Sequence, residues 1–156
     1  MTEKIHYSYE QITGIIKSKA KEITEVNPDY VIAIGGGGLI PARILRPFVK
    51  KPILVVTLAL YTSDDEIGEE VNIIQWIDKS LDLKDKKVLI VDEIDDTRKT
   101  MMYCVDKLRE FNNANNISVF VVHNKLKAKF GELKDVKYIT GENIEDKWVV
   151  YPWDQM

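Results

Sequence analysis

Residues 88–100 read Val-Leu-Ile-Val-Asp-Glu-Ile-Asp-Asp-Thr-Arg-Lys-Thr, passing without a break from an apolar run into four carboxylates and then into hydroxyl and cationic side chains. Val88 to Val91 is short, β-branched and apolar at every position, as expected of a strand buried on both faces in a parallel sheet. From Thr100 onward the apolar residues recur with helical spacing. The loop between them therefore ends a strand and begins a helix. In open α/β sheets that is where ligands bind, and free N–H groups at a helix start favour anions such as phosphate.

The same alternation extends in both directions. Upstream, Ser8 with Gln11 makes a capping-box pattern, and Ile12, Ile15, Ile16, Ala20 and Ile23 predict an amphipathic helix over 9–25. Tyr30 to Ile34 is expected as a strand, followed by Gly35 to Gly38 and a helix holding Leu39, Ala42, Leu45 and Val49. Pro47 predicts a kink or an early end near Arg46. Strands are further expected at Ile53–Leu60, Ile117–Val122, Val136–Thr140 and Trp148–Tyr151, with an apolar run at Val71–Ile77 and a helix over 98–111. The acidic stretch from Ser63 to Glu70 is expected as a loop. Strands alternating with helices predict an α/β fold with a parallel sheet covered on both sides.

At 156 residues the chain fits one domain, residues 1–156, without repeat or linker. Hydrophobic residues at 45% and charged residues at 30% are ordinary for a globular protein. No apolar run approaches the roughly 18 residues of a membrane span. Glu3, Lys4 and His6 precede any long apolar stretch, so no signal peptide is expected and a cytoplasmic location is the default. The net charge of −3 gives no reason to expect nucleic acid or membrane binding, so any anion site must be local. Lys125, Lys127, Lys129, Lys134 and Lys137 are read as a solvated basic surface. The single cysteine, Cys104, excludes an internal disulfide and sits at core spacing; His6 and His123 make no metal-ligand set.

Chemistry is concentrated in two places. Asp92, Glu93, Asp95 and Asp96 repel one another unless some bind a cation, a diol or a proton-bearing substrate. Two adjacent carboxylates can accept hydrogen bonds from the vicinal hydroxyls of a ribose or hold Mg²⁺ through water. Thr97, Thr100 and the amides between them can cradle a phosphate. Gly35, Gly36, Gly37 and Gly38 form the second place: four glycines between a strand and a helix exceed what a turn requires and let backbone N–H groups approach an anion. They lack the Gly-x-Gly-x-x-Gly spacing of dinucleotide loops.

With these residues in view, the acid segment resembles the phosphoribosyl pyrophosphate (PRPP) loop of type I phosphoribosyltransferases. Ile34-Gly-Gly-Gly-Gly-Leu-Ile-Pro-Ala-Arg43 is similar to the family's pyrophosphate loop, and Asp146-Lys-Trp-Val-Val-Tyr-Pro-Trp-Asp154 to its purine-binding segment. The combination is most similar to hypoxanthine-guanine phosphoribosyltransferases. The resemblance implies a central, mainly parallel sheet flanked by helices, with a small hood formed by terminal segments. It implies Asp96 as the general base toward the purine N7 proton. Asp92, Glu93, Asp95, Thr97, Arg98, Lys99 and Thr100 would hold ribose and 5′-phosphate; Gly35 to Gly38 with Arg43 would hold pyrophosphate. Ile94, Lys125, Trp148, Val149 and Asp154 would hold the purine: Lys125 donating to O6, Trp148 stacking, Val149 offering backbone groups and Asp154 reaching the 2-position. Mg²⁺ is the implied cofactor, met by Asp92, Glu93 and Asp154 mostly through water, and a homodimer or higher homo-oligomer is the implied assembly.

Three departures from the family pattern stand out. Arg98 occupies the place of the usual glycine after Asp-Thr, and is expected to point outward or to add positive charge near the phosphate. Gly36 replaces the usual lysine or arginine of the first loop. Leu60-Tyr61 replaces the Ser-Tyr that opens the mobile loop. The implied function is conversion of a 6-oxopurine and PRPP to the nucleoside monophosphate. The alternatives are a non-catalytic sensor of PRPP or nucleotides, and a phosphoribosyltransferase for adenine or a pyrimidine.

Overall fold

The computed structural model describes residues 3–62 and 69–155. Along the chain lie β1 (Lys4–His6), α1 (Tyr9–Val26), β2 (Tyr30–Gly35), α2 (Leu39–Val49), β3 (Ile53–Thr62) and β4 (Glu69–Gln75). There follow β5 (Val88–Asp95), α3 (Lys99–Asn112), β6 (Ile117–Lys125), β7 (Val136–Ile144) and β8 (Trp148–Val150). The main sheet has the order β4-β3-β2-β5-β6-β7, parallel throughout except for the antiparallel β3–β4 pair. Successive strands run outward from β2 on one side and then return to β5 on the other. The cleft where the order reverses lies beyond the ends of β2 and β5, the position at which α/β sheets take ligands.

Alternation along β5 explains why the sheet is covered on both faces. Leu89 and Val91 pack with Ile12, Ile16 and Ile23 of α1 and with Ala42 and Leu45 of α2. Val88 and Ile90 pack with Met101, Cys104, Val105 and Leu108 of α3. Each strand side chain thus enters one of two cores, as a doubly covered parallel strand requires. Cys104 is fully buried within the second.

The expected elements are present, and several of their bounds differ. The Ser8–Gln11 capping box forms in both directions, at 3.1 and 2.8 Å, and starts α1. Pro47 does not end α2, which runs to Val49 and closes on Lys50 in the left-handed conformation, its N–H bonded to the Arg46 carbonyl. β5 extends past Val91 to Asp95, so Asp92, Glu93 and Asp95 are strand residues and Asp96 alone of the four acids lies in the loop. Pairing to β6, Asp92 opposite Val121 and Ile94 opposite His123, carries the strand on into the acids. β6 likewise extends to Lys125, which ends the strand rather than following it. Glu69 and Glu70 open β4; the rest of the acidic stretch expected as a loop, residues 63–68, lies outside the described residues.

The strand β1, which sequence reasoning did not anticipate, pairs in parallel with β8 as a separate two-stranded sheet. Lys4, Ile5 and His6 lie opposite Trp148, Val149 and Val150, so the chain termini form the hood together. Among the described residues no helix is long and apolar enough to cross a membrane.

Candidate active site

Two cavities of about 230 and 240 Å³ open side by side at the ends of β5 and β6. The first is lined by Glu93, Ile94, Asp96, Lys125, Trp148, Val149, Tyr151 and Asp154. The second is lined by Leu60, Asp92 to Arg98, Thr100 and Met101. Glu93, Ile94 and Asp96 face both. The strand end therefore forms the wall between two compartments, one apolar and aromatic with a few polar groups, the other made of carboxylates, hydroxyls and the start of α3.

The carboxylates fare differently. Asp92 is buried, and burial first, then the neighbouring Glu93, pushes its carboxyl well above the usual range. Burial also pushes Glu93 up to about 7, and the Asp154 carboxylate adds to the rise. Asp95 is 2% exposed and belongs to a closed group: Arg98 Nε and Nη2 approach its Oδ2 at 3.0 and 2.9 Å, and the Tyr138 hydroxyl donates to the same oxygen at 2.8 Å. Its Oδ1 is buried without a hydrogen-bond partner. The Arg98 guanidinium also lies over the Tyr138 ring, 5.1 Å from its centroid. Arg98 thus does not point outward; it turns onto Asp95, which would otherwise be an unpaired buried charge, while still lining the second cavity. Its backbone keeps the left-handed conformation, φ 74°, that the usual glycine would adopt.

Asp96 faces cations. Lys127 Nζ donates to its Oδ1 at 2.8 Å, and Lys125 Nζ stands 3.5 Å from Oδ2. Lys129 Nζ donates to the backbone carbonyls of Asp95, Asp96 and Lys125 at 2.9, 2.7 and 2.9 Å, tying the ends of β5 and β6 together. The basic surface expected from 125 onward is therefore divided: Lys125 is buried, and Lys127 and Lys129 bind the acid loop.

Tyr151 was also missed. It is buried in the wall of the first cavity; its hydroxyl donates to the Glu93 carbonyl at 3.2 Å and sits 2.8 Å from His123 Nδ1. Its ring stacks on Trp153 with centroids 4.8 Å apart. His123 is fully buried and packs behind this wall. Trp148 stands at the cavity with 60% of its surface exposed, free to cover a flat ligand.

The glycine loop abuts the acids. A Cβ on Gly38 would press on the Val91 and Ile34 carbonyl oxygens, so that position requires glycine, whereas a Cβ on Gly37 would overlap the Glu93 carboxyl and force that side chain to move. Gly36 has open space around it, and the Gly35–Gly36 peptide is cis. Arg43 is not brought to either cavity; it lines a separate groove with Arg46, Pro47, Pro52 and Ile53. Lys99 is likewise absent from both cavity walls, its ammonium lying 5.3 Å from the Phe130 ring centroid.

A cavity at the start of α3 lies beside one walled by Trp148 and Tyr151, an arrangement able to take a nucleotide or sugar phosphate. Residues 2–155 match the phosphoribosyl transferase domain family. A hypoxanthine-guanine phosphoribosyltransferase of Schizosaccharomyces pombe is 41% identical, the alignment covering 97% of this chain and 89% of that protein. Xanthine phosphoribosyltransferase 1 of Saccharomyces cerevisiae is 39% identical over 97% and 90%. The solved structure of a hypothetical protein from Neisseria gonorrhoeae with bound ppGpp superposes with a TM-score of 0.89 at 43% identity, covering 100% of this chain and 92% of that one. The chain belongs to the phosphoribosyltransferase family.

Two outcomes follow from the carboxylates. Because Glu93 keeps its proton up to about 7 when folded, against 4.5 ordinarily, its stabilising contribution is full below about 4.5 and is lost as pH rises through about 7. Glu93→Gln should therefore gain stability relative to the parent between pH 5 and pH 8, by up to about 3 kcal/mol, read by urea unfolding at both values. Parallel pH responses of parent and variant would remove Glu93 as the proton holder. Arg98→Met should cost about 3–5 kcal/mol by leaving Asp95 as an uncompensated buried charge. Adding Asp95→Asn should recover part of that loss in the same denaturation assay; no recovery would dissolve the pair.

Proposed function

We propose that the protein is a purine salvage enzyme that converts a 6-oxopurine (hypoxanthine, guanine or xanthine) and PRPP to the nucleoside 5′-monophosphate and pyrophosphate. The observation that carries this reading is the convergence, in one cavity, of Asp96 and Lys125 with Trp148, Val149 and Asp154, directly beside the ribose-phosphate compartment. The purine would lie against Trp148, a contact worth roughly 1–3 kcal/mol by analogy with other aromatic-base stacking. Lys125 would donate to O6, and a 6-amino group would meet that ammonium donor to donor.

In the reaction the N9 lone pair forms a bond to C1 of the ribose while the C1–oxygen bond to pyrophosphate breaks and the departing anion keeps the electron pair. The proton shed by the base at N7 goes to Asp96. Asp92 and Glu93 would accept hydrogen bonds from the ribose hydroxyls. Thr97, Thr100 and the amides at the start of α3, which has no side-chain cap, would hold the 5′-phosphate. The Gly35–Gly38 loop would approach the pyrophosphate with backbone N–H groups other than that of Gly38, which donates to the Ile34 carbonyl at 2.8 Å. The main catalytic contributions are alignment and stabilisation of the leaving anion.

Mg²⁺ fits the donor set in one manner. Asp92 and Glu93 are buried carboxylates whose proton affinity is raised first by burial and then by neighbouring carboxylates, and Asp154 lies within electrostatic reach of Glu93. Among the described residues no three such ligands converge, so the ion would be shared between one or two carboxylates, water and substrate oxygens, as Mg²⁺ commonly is. When bound it neutralises charge on the pyrophosphate. A cytoplasmic homo-oligomer, as the family resemblance implies, completes the proposal.

The bound ppGpp of the Neisseria relative favours a second reading, a nucleotide sensor, because the two cavities together would also accept a guanosine nucleotide. Turnover separates the two. Pyrophosphate release is expected with hypoxanthine or guanine in the presence of PRPP and Mg²⁺, and Asp96→Asn should lower kcat about 10²- to 10⁴-fold. A folded protein that binds PRPP yet turns over no purine would leave only the sensor. Across a panel of bases, Lys125→Ala should erase the preference for 6-oxopurines over adenine; an unchanged preference would assign base reading to another residue.

A further inference from the structure

Beyond the groups that line the base cavity, two charged side chains stand behind them. Lys127 Nζ bonds Asp96 Oδ1 at 2.8 Å and Asp146 Oδ2 at 3.1 Å. Lys125 Nζ stands farther off, 3.5 Å from Asp96 Oδ2 and 3.6 Å from Asp146 Oδ1. Each of the four carboxylate oxygens therefore faces one ammonium, and the square they form is tight on the Lys127 side and slack on the Lys125 side. Lys127 and Asp146 touch neither cavity wall.

That asymmetry bears on how a purine edge would enter. A 6-oxopurine presents a carbonyl acceptor and an N–H donor side by side, the complement of an ammonium next to a carboxylate. The slack pair, Lys125 and Asp96 Oδ2, can give up its mutual contact to that edge. The tight pair cannot, because its hydrogen bond is short and charge-assisted. Asp96 is thus gripped by one oxygen and presents the other.

We infer that Lys127, braced by Asp146, is the positioning cation of Asp96: it holds Oδ1 so that Oδ2 faces the purine N7 proton, while Asp146 steadies both ammoniums. The inference rests on the 6-oxopurine transferase reading and adds two residues to it. Lys127 is held protonated mainly by its bond to Asp96, and Asp146 is held ionised mainly by its bond to Lys127, so the grip persists through neutral pH. The Asp146 side chain is half exposed and that of Lys127 partly so, hence the pair adds little to global stability and its effect belongs in the kinetics.

The test compares the parent with Lys127→Met, Lys127→Arg and Asp146→Asn in steady-state turnover of guanine and PRPP. Misplacing a catalytic group by about 1 Å can cost about 10²-fold, so Lys127→Met is expected to lower kcat by about 10- to 100-fold. The KM for PRPP should stay near the parental value, because Lys127 is absent from the compartment proposed for it. Lys127→Arg should restore most of the lost kcat, and Asp146→Asn should raise the KM for guanine and lower kcat more mildly. If Lys127→Met does not fold, Asp146→Asn and Lys127→Gln reach the same pairing from the other side and with a smaller change. Parental kcat in the Met and Gln variants would overturn the assignment, as would a loss confined to the KM for PRPP, which would make Lys127 an anion ligand. A parent inert toward every 6-oxopurine would overturn the transferase reading and this inference together; an active parent with unaffected variants would overturn the inference alone.

Discussion

Mutual repulsion among Asp92, Glu93, Asp95 and Asp96 is the constraint around which this molecule is arranged. Four carboxylates within five residues, three of them on a central strand, require a separate electrostatic answer each. The protein supplies the answer for two. Asp95 is neutralised by Arg98 and Tyr138, and Asp96 by Lys127 with Lys125 in reserve. Asp92 and Glu93 receive no cation from the described residues' ion pairs, and instead hold protons more firmly than isolated carboxyls do. The two acids left without a described cation are the two that the proposed function assigns to ribose hydroxyls or a metal ion, so in that reading the ligand would complete what the fold leaves open.

The rest of the architecture serves to deliver this strand end into the cleft. Reversal of strand order between β2 and β5 brings Gly35 to Gly38 alongside the acids, and the missing side chain at Gly37 is the space that Glu93 fills. The two loops are therefore fitted to each other: a side chain at 37 would displace a carboxylate at 93. The hood makes the second fit. Pairing of β1 with β8 fixes Trp148 and Val149 over the base cavity, while Tyr151 links the hood to the backbone of Glu93.

Apolar periodicity was enough to read the helices and the central strands, because β2, β5 and β6 are buried on both faces and their inner parts had to be apolar. It failed where pairing between distant segments decides the outcome. Asp92 to Asp95 continue β5 only because β6 offers ladder partners, which composition cannot reveal. β1 is three residues long and gains its partner from the far end of the chain. At the site, Asp96, Lys125 and Trp148 were legible through the resemblance, whereas Lys127, Lys129 and Tyr138 were not, since a lysine-rich stretch and an isolated tyrosine look the same whether solvated or holding a buried acid. Arg43 erred in the other direction: following the glycine loop in sequence did not place it beside that loop's ligand space.

The positions of the cations carry one more consequence. Lys125, Lys127 and Lys129 all stand on the base side of Asp96 or beneath its loop, and Arg98, although it lines the phosphate compartment, spends its charge on Asp95. Gly36 contributes no cation where the family usually has one. Among the described residues, the phosphate groups of PRPP would then be met chiefly by backbone N–H groups at the starts of α2 and α3 rather than by side-chain charge. Such partial charges hold a phosphate in place but neutralise little of it. In the proposed reaction, neutralisation of the leaving pyrophosphate would then fall to a metal ion held through Asp92 and Glu93, the two acids of the segment for which the described residues supply no ion pair.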